Sequence, residues 1–396
     1  MADVAPLVSI PQAPVPQGGG AEWFTGAGGA RLRAAHFAPK GASRGTVLLS
    51  TGRTECIEKY FEVISDLLGR GFTVVANEWR GQGLSHRDLP DRLKGHAVGM
   101  DAYVMDYKAL IAAFEDRMPK PWIAVGHSMG GCLTLLSLAK GVAGQFAGAV
   151  LCAPMLGVRT GGLNPFVARL VSGLNVLTGK GGAYARTPPE DPYTEAFAGN
   201  VLTHDEARFN RGRALIAANK DLALSAPTWG WLDFAFKATH WLSQPANLRG
   251  VTLPVVIVSA GDDKLVRDDA QEQVARLLPD GTFVSVKGAE HEILMETDDL
   301  RNQFWTAFDA LADKVAPKPA PAPKAPAPKA AAPKAKVEKA APAPKAAPKT
   351  TKAPAKTASA AKPAAKKAPA KKAAAPKPAA AKAPAKPKAP AKPKKA

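Results

Sequence analysis

The feature that most constrains the fold is an alternation of short apolar strand patterns with amphipathic helical patterns. Six apolar, β-branched runs recur along the 396-residue chain, at 46–50, 72–76, 122–125, 149–152, 255–259 and 283–286. Helical stripes lie between them, such as the one formed by Phe61, Ile64 and Leu68. Strands this apolar suit a parallel sheet that is covered on both faces. The alternation therefore predicts an α/β fold with a mostly parallel central sheet and helices on both faces.

One long interval, 157–249, interrupts this rhythm because it contains no clear strand pattern and is rich in tryptophan. We expect it to form a helical cap inserted between two parts of one core, at 21–156 and 250–315. Because α/β sheets bind ligands beyond the carboxyl ends of their strands, the cap should cover the functional site. Residues 1–20 are rich in proline and glycine, and we expect them to be flexible.

Positive charge is concentrated at the C-terminal end of the chain. Residues 316–396 contain 22 lysines, no arginine and a single acidic residue, Glu338, whereas the whole chain carries a formal net charge of +19. The rest of the chain is therefore close to neutral. A segment made almost entirely of alanine, lysine and proline cannot fill a core, so the sequence predicts a disordered tail. Its lysines could neutralise the phosphates of an anionic membrane surface or of nucleic acid.

The remaining composition indicates a cytoplasmic protein without a bound metal. Three cysteines, Cys56, Cys132 and Cys152, are too few for a disulfide framework. The first twenty residues lack the basic and long apolar regions of a secretory signal, and no apolar stretch is long enough to span a membrane. No cluster of cysteine and histidine has metal-ligand spacing, so we expect neither a metal nor another cofactor.

The strongest chemical motif is the hexapeptide GHSMGG at 126–131, which fits the pattern G-x-S-x-G. A strand pattern precedes it and a helical pattern follows it. A tight turn between a strand and a helix needs small residues on either side of a nucleophile, and glycines supply them here. The turn would raise the Ser128 hydroxyl above the sheet at a helix N-terminus, which favours negative charge. Ser128 is thus the candidate nucleophile.

A serine nucleophile needs a base, and a late histidine is expected where the chain order is serine, acid, histidine. His291 follows the last predicted strand by a short loop and is the candidate base. The acid should lie after the strand at 255–259, where Asp262 and Asp263 are adjacent. Spacing alone does not separate these two aspartates. Alternation along the chain would turn one of them toward the site.

The oxyanion hole of such a site requires two preorganised backbone N–H groups. We expect one from Met129, directly after the serine, and the other from Arg53, in the loop after the first parallel strand. The glycine-rich run at 79–85, WRGQGLS, lacks the spacing of a phosphate-binding loop and is interpreted as a structural turn.

Taken together, these segments resemble the α/β-hydrolase superfamily. Within it they are similar to the branch of monoacylglycerol lipases and bacterial lysophospholipases of the L2 type, which is also grouped with serine aminopeptidases. The segments that carry the resemblance are STGRTECIEKY, NEWRGQGLSHR, KGHAVGMDAYVMD, GHSMGG, CAPMLG, THDEARFNRGRAL, PTWGW, AGDDKLV and GAEHEILME. They extend from about residue 22 to 311. Two features depart from the family pattern: Glu78 replaces an aspartate, and the family lacks the long basic tail.

The resemblance implies a catalytic triad of Ser128, Asp263 and His291, and it selects Asp263 over Asp262. It also implies a hydrolase that cleaves carboxylic esters of single-chain lipids through an acyl-enzyme. The cap aromatics Trp229, Trp231 and Phe234, together with Phe236, could shelter the acyl chain; they could equally form the core of the cap.

Two other functions fit the sequence. The related serine aminopeptidases cleave a peptide bond at a free N-terminus, which requires acidic residues that bind the amine. The cap offers several acids: Glu190, Asp191, Glu195, Asp205 and Glu206. A different class of protein, a polyanion-binding or DNA-binding module, would act through the basic tail. That tail has no aromatic residue, so base stacking is not expected.

Overall fold

The computed structural model of the chain describes residues 3–191 and 193–318. The C-terminal segment from 319 to 396, which holds nearly all of the predicted disordered tail, lies outside the described residues, as do the predictions of lipid or nucleic-acid binding made for it.

Nine strands of the described residues form one sheet with the order β1-β2-β3-β5-β4-β6-β7-β8-β9. Their bounds are β1 (Val4–Ala5), β2 (Gly19–Thr25), β3 (Arg31–Phe37), β4 (Thr46–Ser50), β5 (Thr73–Asn77), β6 (Trp122–His127), β7 (Gly148–Cys152), β8 (Val255–Ala260) and β9 (Gly281–Val286). The strands from β4 to β9 are all parallel, and each overlaps one of the six predicted apolar runs. The predicted α/β fold with a mostly parallel sheet is confirmed.

The three strands at the N-terminal end are antiparallel and were not predicted. In β3 the sequence RLRAAHF places charges inside an apolar strand. The Arg33 side chain is nevertheless fully buried, because its guanidinium forms ion pairs with Glu58 and Glu78. Burial of a charge is tolerated when opposite charges and hydrogen bonds compensate it. The acidic partners of Arg33 are distant from it in the sequence, so the local pattern of β3 does not identify it as a core strand.

Within residues 3–20, the structure contradicts the expectation of a flexible N-terminus. Val4 pairs with Glu22 in the sheet, and the Val8 amide donates a hydrogen bond to Glu58 at 3.0 Å. The Pro6 carbonyl accepts a hydrogen bond from Arg33 at 2.7 Å. The segment is ordered because its backbone supplies polar partners to the buried charges beneath it, a role that its composition does not indicate.

Nine helices flank the sheet or form the insertion within the described residues. They are α1 (Phe61–Gly69), α2 (Met100–Phe114), α3 (Met129–Ala139), α4 (Pro165–Leu177), α5 (Glu206–Ala218), α6 (Trp229–Leu242), α7 (Pro245–Leu248), α8 (Asp268–Leu277) and α9 (Asp298–Val315). Buried residues of α2, α3 and α8 pack on one face of the sheet, and those of α1 and α9 pack on the other. The sheet is therefore covered on both faces, which explains why β4 to β8 contain no aspartate, glutamate, lysine or arginine.

The interval between β7 and β8 contains the helices α4 to α7, and we call it the cap. Helix α6 of the cap packs against α3, which begins directly after the candidate nucleophile. Helix α4 packs against α6 and exposes most of its large apolar side chains. Among the described residues, no helix has the length and hydropathy required to cross a membrane.

Candidate active site

Ser128 occupies a sharp bend between β6 and α3. Its backbone has φ +52° and ψ −117°, a conformation that residues other than glycine rarely adopt. The bend is held by hydrogen bonds from the Ser128 amide to the Cys152 carbonyl at 3.0 Å and from the Met155 amide to the Ser128 carbonyl at 2.9 Å. Backbone strain of this kind persists where the surroundings fix it, and it is common at catalytic residues.

The glycines around Ser128 are required by close packing. A Cβ atom at Gly130 would lie 2.4 Å from the carbonyl oxygens of Ser50 and Thr51, at the end of β4. A Cβ atom at Gly126 would lie 2.8 Å from the backbone of Gly130. Only hydrogen fits at these two positions, so the bend can place the start of α3 directly against β4.

The structure brings the three predicted triad residues together. His291 Nε2 lies 2.8 Å from Ser128 Oγ, and His291 Nδ1 lies 2.6 Å from an Asp263 carboxylate oxygen. All three side chains are buried: Ser128 is 8% exposed, Asp263 3% and His291 4%. The carboxylate accepts a hydrogen bond from the Nδ1–H group, which leaves Nε2 as the nitrogen that can take a proton from the serine.

The structure also separates the two adjacent aspartates. Besides His291, the Asp263 carboxylate accepts hydrogen bonds from the amides of Leu265 at 2.7 Å and Val266 at 2.9 Å. Burial alone would raise the pKa of Asp263, but these hydrogen bonds and the contact with His291 hold the pKa below its usual value. Asp262 is solvent-exposed, and its amide donates to the Ala289 carbonyl.

The two predicted oxyanion donors come from two segments, one directly after Ser128 and one directly after β4. Met129 is the first residue of α3, and an amide in the first turn of a helix has no acceptor within that helix. Arg53 lies in the loop after β4. Two contacts brace this loop: the Gly52 amide donates to the Glu55 carboxylate, and Gln82 Nε2 donates to the Gly52 carbonyl at 2.6 Å.

The glycine-rich turn at 79–85 contacts the loop after β4, which carries Arg53. The Trp79 indole donates to the Thr51 carbonyl at 2.9 Å, and Arg80 forms a buried ion pair with Asp106. Glu78, the residue that departs from the family pattern, accepts the Leu84 amide at 2.9 Å and pairs with Arg33. The turn thus fixes the loop after β4, as its interpretation as a structural turn requires.

A buried charged network lies beneath the triad. His127 Nδ1 lies 3.2 Å from a Glu55 carboxylate oxygen, which also accepts a hydrogen bond from the Tyr60 hydroxyl at 2.6 Å. Lys59 bridges Glu55 at 3.0 Å and Glu292 at 2.5 Å. We call Glu55, Lys59, Tyr60, His127 and Glu292 the buried network. Every carboxylate in it has a positive partner.

The buried network shifts the pKa values of its members. Burial raises the pKa of the Glu55 carboxyl, but Lys59 and His127 overcome this effect and lower it. Burial likewise lowers the pKa of His127, and the charge and hydrogen bond of Glu55 raise it above its usual value. The two groups therefore hold each other in the charged form.

Glu55 and Lys59 are among the site residues that were not predicted from the sequence. They are four residues apart, directly before helix α1, and form an ion pair. This pair, directly after the loop of Arg53, is the local signal that could have indicated them. The contact between Glu55 and His127 spans 72 residues and has no such local signal.

The site opens into a cavity of about 280 Å³ between the core and the cap. Ser128, His291 and the cap residues Trp231 and Leu232 line it. Of the three cap aromatics predicted to contact substrate, only Trp231 lines the cavity. Phe234 is 1% exposed and packs against Tyr103 with ring centroids 4.9 Å apart, so we assign it to the core.

Trp229 is half-buried and does not line the cavity, and Phe236 is buried in the cap. Trp231 lines the cavity, and its indole Nε1 lies 3.3 Å from the sulfur of Met129, the residue after Ser128. One turn of α6 thus separates an aromatic residue of the cavity wall from those of the core. The residue types alone do not distinguish these two environments.

Within residues 3–191 and 193–318, no group of three or more histidine, cysteine, aspartate or glutamate side chains is arranged to hold a metal ion. The three cysteines are buried and unpaired with each other. The chemistry available at the site is a hydroxyl next to an imidazole that is oriented by a carboxylate, with backbone amides close to the hydroxyl. This arrangement is suited to acyl transfer.

The fold and this site define an α/β-hydrolase. Solved structures share the architecture: a soluble variant of monoglyceride lipase from Saccharomyces cerevisiae, in complex with a substrate analogue, aligns with a TM-score of 0.60 and 20% identity over 77% of this chain and 99% of that chain. Monoacylglycerol lipase from Paleococcus ferrophilus aligns with a TM-score of 0.54 and 19% identity over 71% of this chain and 98% of that chain. These likenesses confirm the predicted α/β-hydrolase fold.

The chain belongs to the serine aminopeptidase S33 family of hydrolases, whose family model matches residues 41–298. It is similar to lysophospholipase L2 from Escherichia coli K12, with 29% identity over 315 residues, 73% of this chain and 85% of that protein. It is also similar to a probable lysophospholipase L2 from Haemophilus influenzae, with 28% identity over 267 residues, 66% of this chain and 82% of that protein. The resemblance stated from the sequence motifs is confirmed.

Proposed function

We propose that the protein hydrolyses carboxylic esters of single-chain lipids, lysophospholipids or monoacylglycerols, through an acyl-enzyme on Ser128. The observation that carries this proposal is the unbroken chain of contacts from the Asp263 carboxylate through His291 to Ser128 Oγ, with distances of 2.6 and 2.8 Å. Relatives named lysophospholipase L2 support the class of substrate. The apolar part of the cavity wall, which includes Trp231 and Leu232, supports a substrate with an acyl chain.

In the proposed mechanism, His291 Nε2 removes the proton of Ser128 as its oxygen attacks the acyl carbonyl. The amides of Met129 and Arg53 donate hydrogen bonds to the resulting oxyanion. The imidazolium then protonates the departing alcohol, and the fatty acid remains as an ester of Ser128. A water molecule that is deprotonated by His291 cleaves this ester and restores the serine hydroxyl.

The experiment that tests this function compares Ser128→Ala with wild type on 1-oleoylglycerol and 1-oleoyl lysophosphatidylcholine. We expect turnover to fall by a factor on the order of 10⁶, the scale set by triad removal in other serine hydrolases. Ser285→Ala, a change at an exposed serine of β9, is the matched control and should leave turnover at the wild-type rate. Near-wild-type turnover by Ser128→Ala would contradict the mechanism.

The acidic residues of the cavity wall are paired with a lysine, and this pairing favours an ester substrate over a peptide substrate. An aminopeptidase needs carboxylates that are available to a substrate amine. Among the described residues, the acids that line the cavity are Glu55 and Glu292, and both contact Lys59. Of the five acidic cap residues considered for this role, none lines the cavity. Hydrolysis of a prolyl anilide at a rate comparable to that of an acyl ester would overturn this preference.

We further propose that the basic segment at the C-terminal end attracts the enzyme to anionic membrane surfaces. Its 22 lysines and single acid support this role, since each lysine near such a surface contributes about 1 kcal/mol. Truncation after Lys318 should weaken binding to vesicles of phosphatidylglycerol and leave hydrolysis of a soluble ester unchanged. The same truncation tests nucleic-acid binding. Loss of DNA binding with unchanged vesicle binding would indicate that the basic segment binds nucleic acid instead of membranes.

A further inference from the structure

The cavity wall carries more positive charge than its acidic residues balance. Four cations line the cavity together with the triad: Arg53, Arg159, Arg186 and Lys264. The two acids of the wall, Glu55 and Glu292, are both held by Lys59. Arg159 is paired with Asp268 at 3.1 Å. For Arg53, Arg186 and Lys264 there is no carboxylate within salt-bridge distance in the described part of the chain.

The Arg53 guanidinium, which belongs to a residue of the cavity wall, has an N–H group without an acceptor in the described part of the chain. Its Nη2 donates to the Ser225 carbonyl at 2.5 Å, and its guanidinium lies 5.0 Å from the centre of the Trp231 ring. Its Nε is buried and has no hydrogen-bond partner among residues 3–191 and 193–318. Burial and the nearby charge of Arg186 lower the pKa of Arg53 to about 10. A bound anion would relieve the repulsion between the two arginines and give Nε an acceptor.

We propose that Arg53, Arg186 and Lys264 bind the phosphate of a lysophospholipid head group, so that the enzyme prefers substrates with an anionic head group over neutral monoacylglycerols. This inference rests on the proposed function and specifies its substrate. Guanidinium groups match the geometry of phosphate oxygens, and a lysine adds a point charge. In a 1-acyl glycerophospholipid only the glycerol carbons separate the ester from the phosphate, so one cavity can hold both groups.

The test uses two substrates that differ only by a phosphoglycerol group, 1-oleoyl lysophosphatidylglycerol and 1-oleoylglycerol. Both are presented at the same mole fraction in micelles of a neutral detergent, to wild type and to Arg186→Gln. We expect the ratio of kcat/KM for the anionic to the neutral substrate to fall about tenfold in Arg186→Gln, as one charged hydrogen-bonded contact predicts. Arg186→Glu should lower the ratio further.

Arg249→Gln removes the same charge from an exposed position outside the cavity and is the matched control, with a ratio equal to that of wild type. An unchanged ratio in both Arg186 variants, with both substrates hydrolysed, would overturn the assignment of the head-group site. Failure of wild type to hydrolyse either substrate would instead contradict the proposed function. The two failures are therefore distinguishable.

Discussion

The imidazole rings of His127 and His291 pack together with their centroids 5.0 Å apart, and His127 Nε2 donates a hydrogen bond to the His291 main-chain carbonyl at 3.2 Å. Its Nδ1 faces the Glu55 carboxylate at 3.2 Å. Both partners are acceptors only, so both ring nitrogens carry protons and His127 is an imidazolium. Glu55 therefore has two roles. It stabilises the charged form of His127, whose ring binds the loop of His291. It also accepts a hydrogen bond from the Gly52 amide, in the loop that carries Arg53.

Glu55→Gln tests this positioning role. The amide keeps the volume of the side chain but removes the charge that stabilises the His127 imidazolium. We expect kcat on a soluble ester to fall about tenfold with little change in KM, because the loss affects the alignment of reacting groups rather than binding. Glu206→Gln, an exposed substitution in the cap, is the control. Equal kcat values for Glu55→Gln and wild type would contradict the role.

The same pair predicts how stability depends on pH. The pKa of His127 is higher in the folded protein than the value of about 6.5 expected in the unfolded chain. Its contribution is fully present below pH 6.5 and is lost as the pH rises through the raised folded pKa. The difference in unfolding free energy between wild type and Glu55→Gln should therefore be largest below pH 6.5 and shrink as the pH rises above that value. A difference that grows over this range contradicts the assignment.

The two adjacent aspartates provide a matched pair of substitutions. Asp263→Asn should lower kcat by a factor on the order of 10⁴, because an amide that donates to Nδ1 holds His291 in the wrong tautomer. Asp262→Asn changes an exposed neighbour and should retain most of the activity. The measurement is kcat for both variants on one acyl ester. Greater loss in Asp262→Asn would show that the acid is misassigned.

Gly130→Ala tests the packing that creates the bend at Ser128. The added methyl would lie 2.4 Å from two backbone oxygens of β4, which cannot move without shifting the sheet. We expect a loss of about 1–3 kcal/mol in the free energy of unfolding, the usual cost of overpacking, together with a large loss of activity. Gly144→Ala introduces a methyl where no atom lies within 4 Å. Denaturant unfolding of both variants distinguishes close packing from a general effect of glycine replacement.

The sequence predicts those parts of the molecule whose causes are local. Strands β4 to β8 are recognisable because both of their faces are buried, and β9 is recognisable by its short apolar run. Ser128 is recognisable because a tight turn demands glycines. The position of His291 follows from the order of the triad along the chain. Asp263 required the family resemblance, because the two neighbouring aspartates differ by only one residue in their spacing from His291.

The parts that the sequence did not predict depend on contacts between distant residues. Strand β3 is buried because Arg33 forms ion pairs with Glu58 and Glu78, which lie 25 and 45 residues from it in the sequence. The role of Glu55 depends on His127, and the assignment of Phe234 to the core depends on Tyr103. In each case the environment of a side chain, and not its type, decides what it does.

In the proposed mechanism Ser128 is the nucleophile and His291 activates it. Mass spectrometry after treatment with a fluorophosphonate, which phosphonylates activated serines, tests both roles. We expect one label per chain on the peptide that contains Ser128, no label in Ser128→Ala, and slow labelling in His291→Ala. A label on a different residue, or equal rates in wild type and His291→Ala, would contradict it.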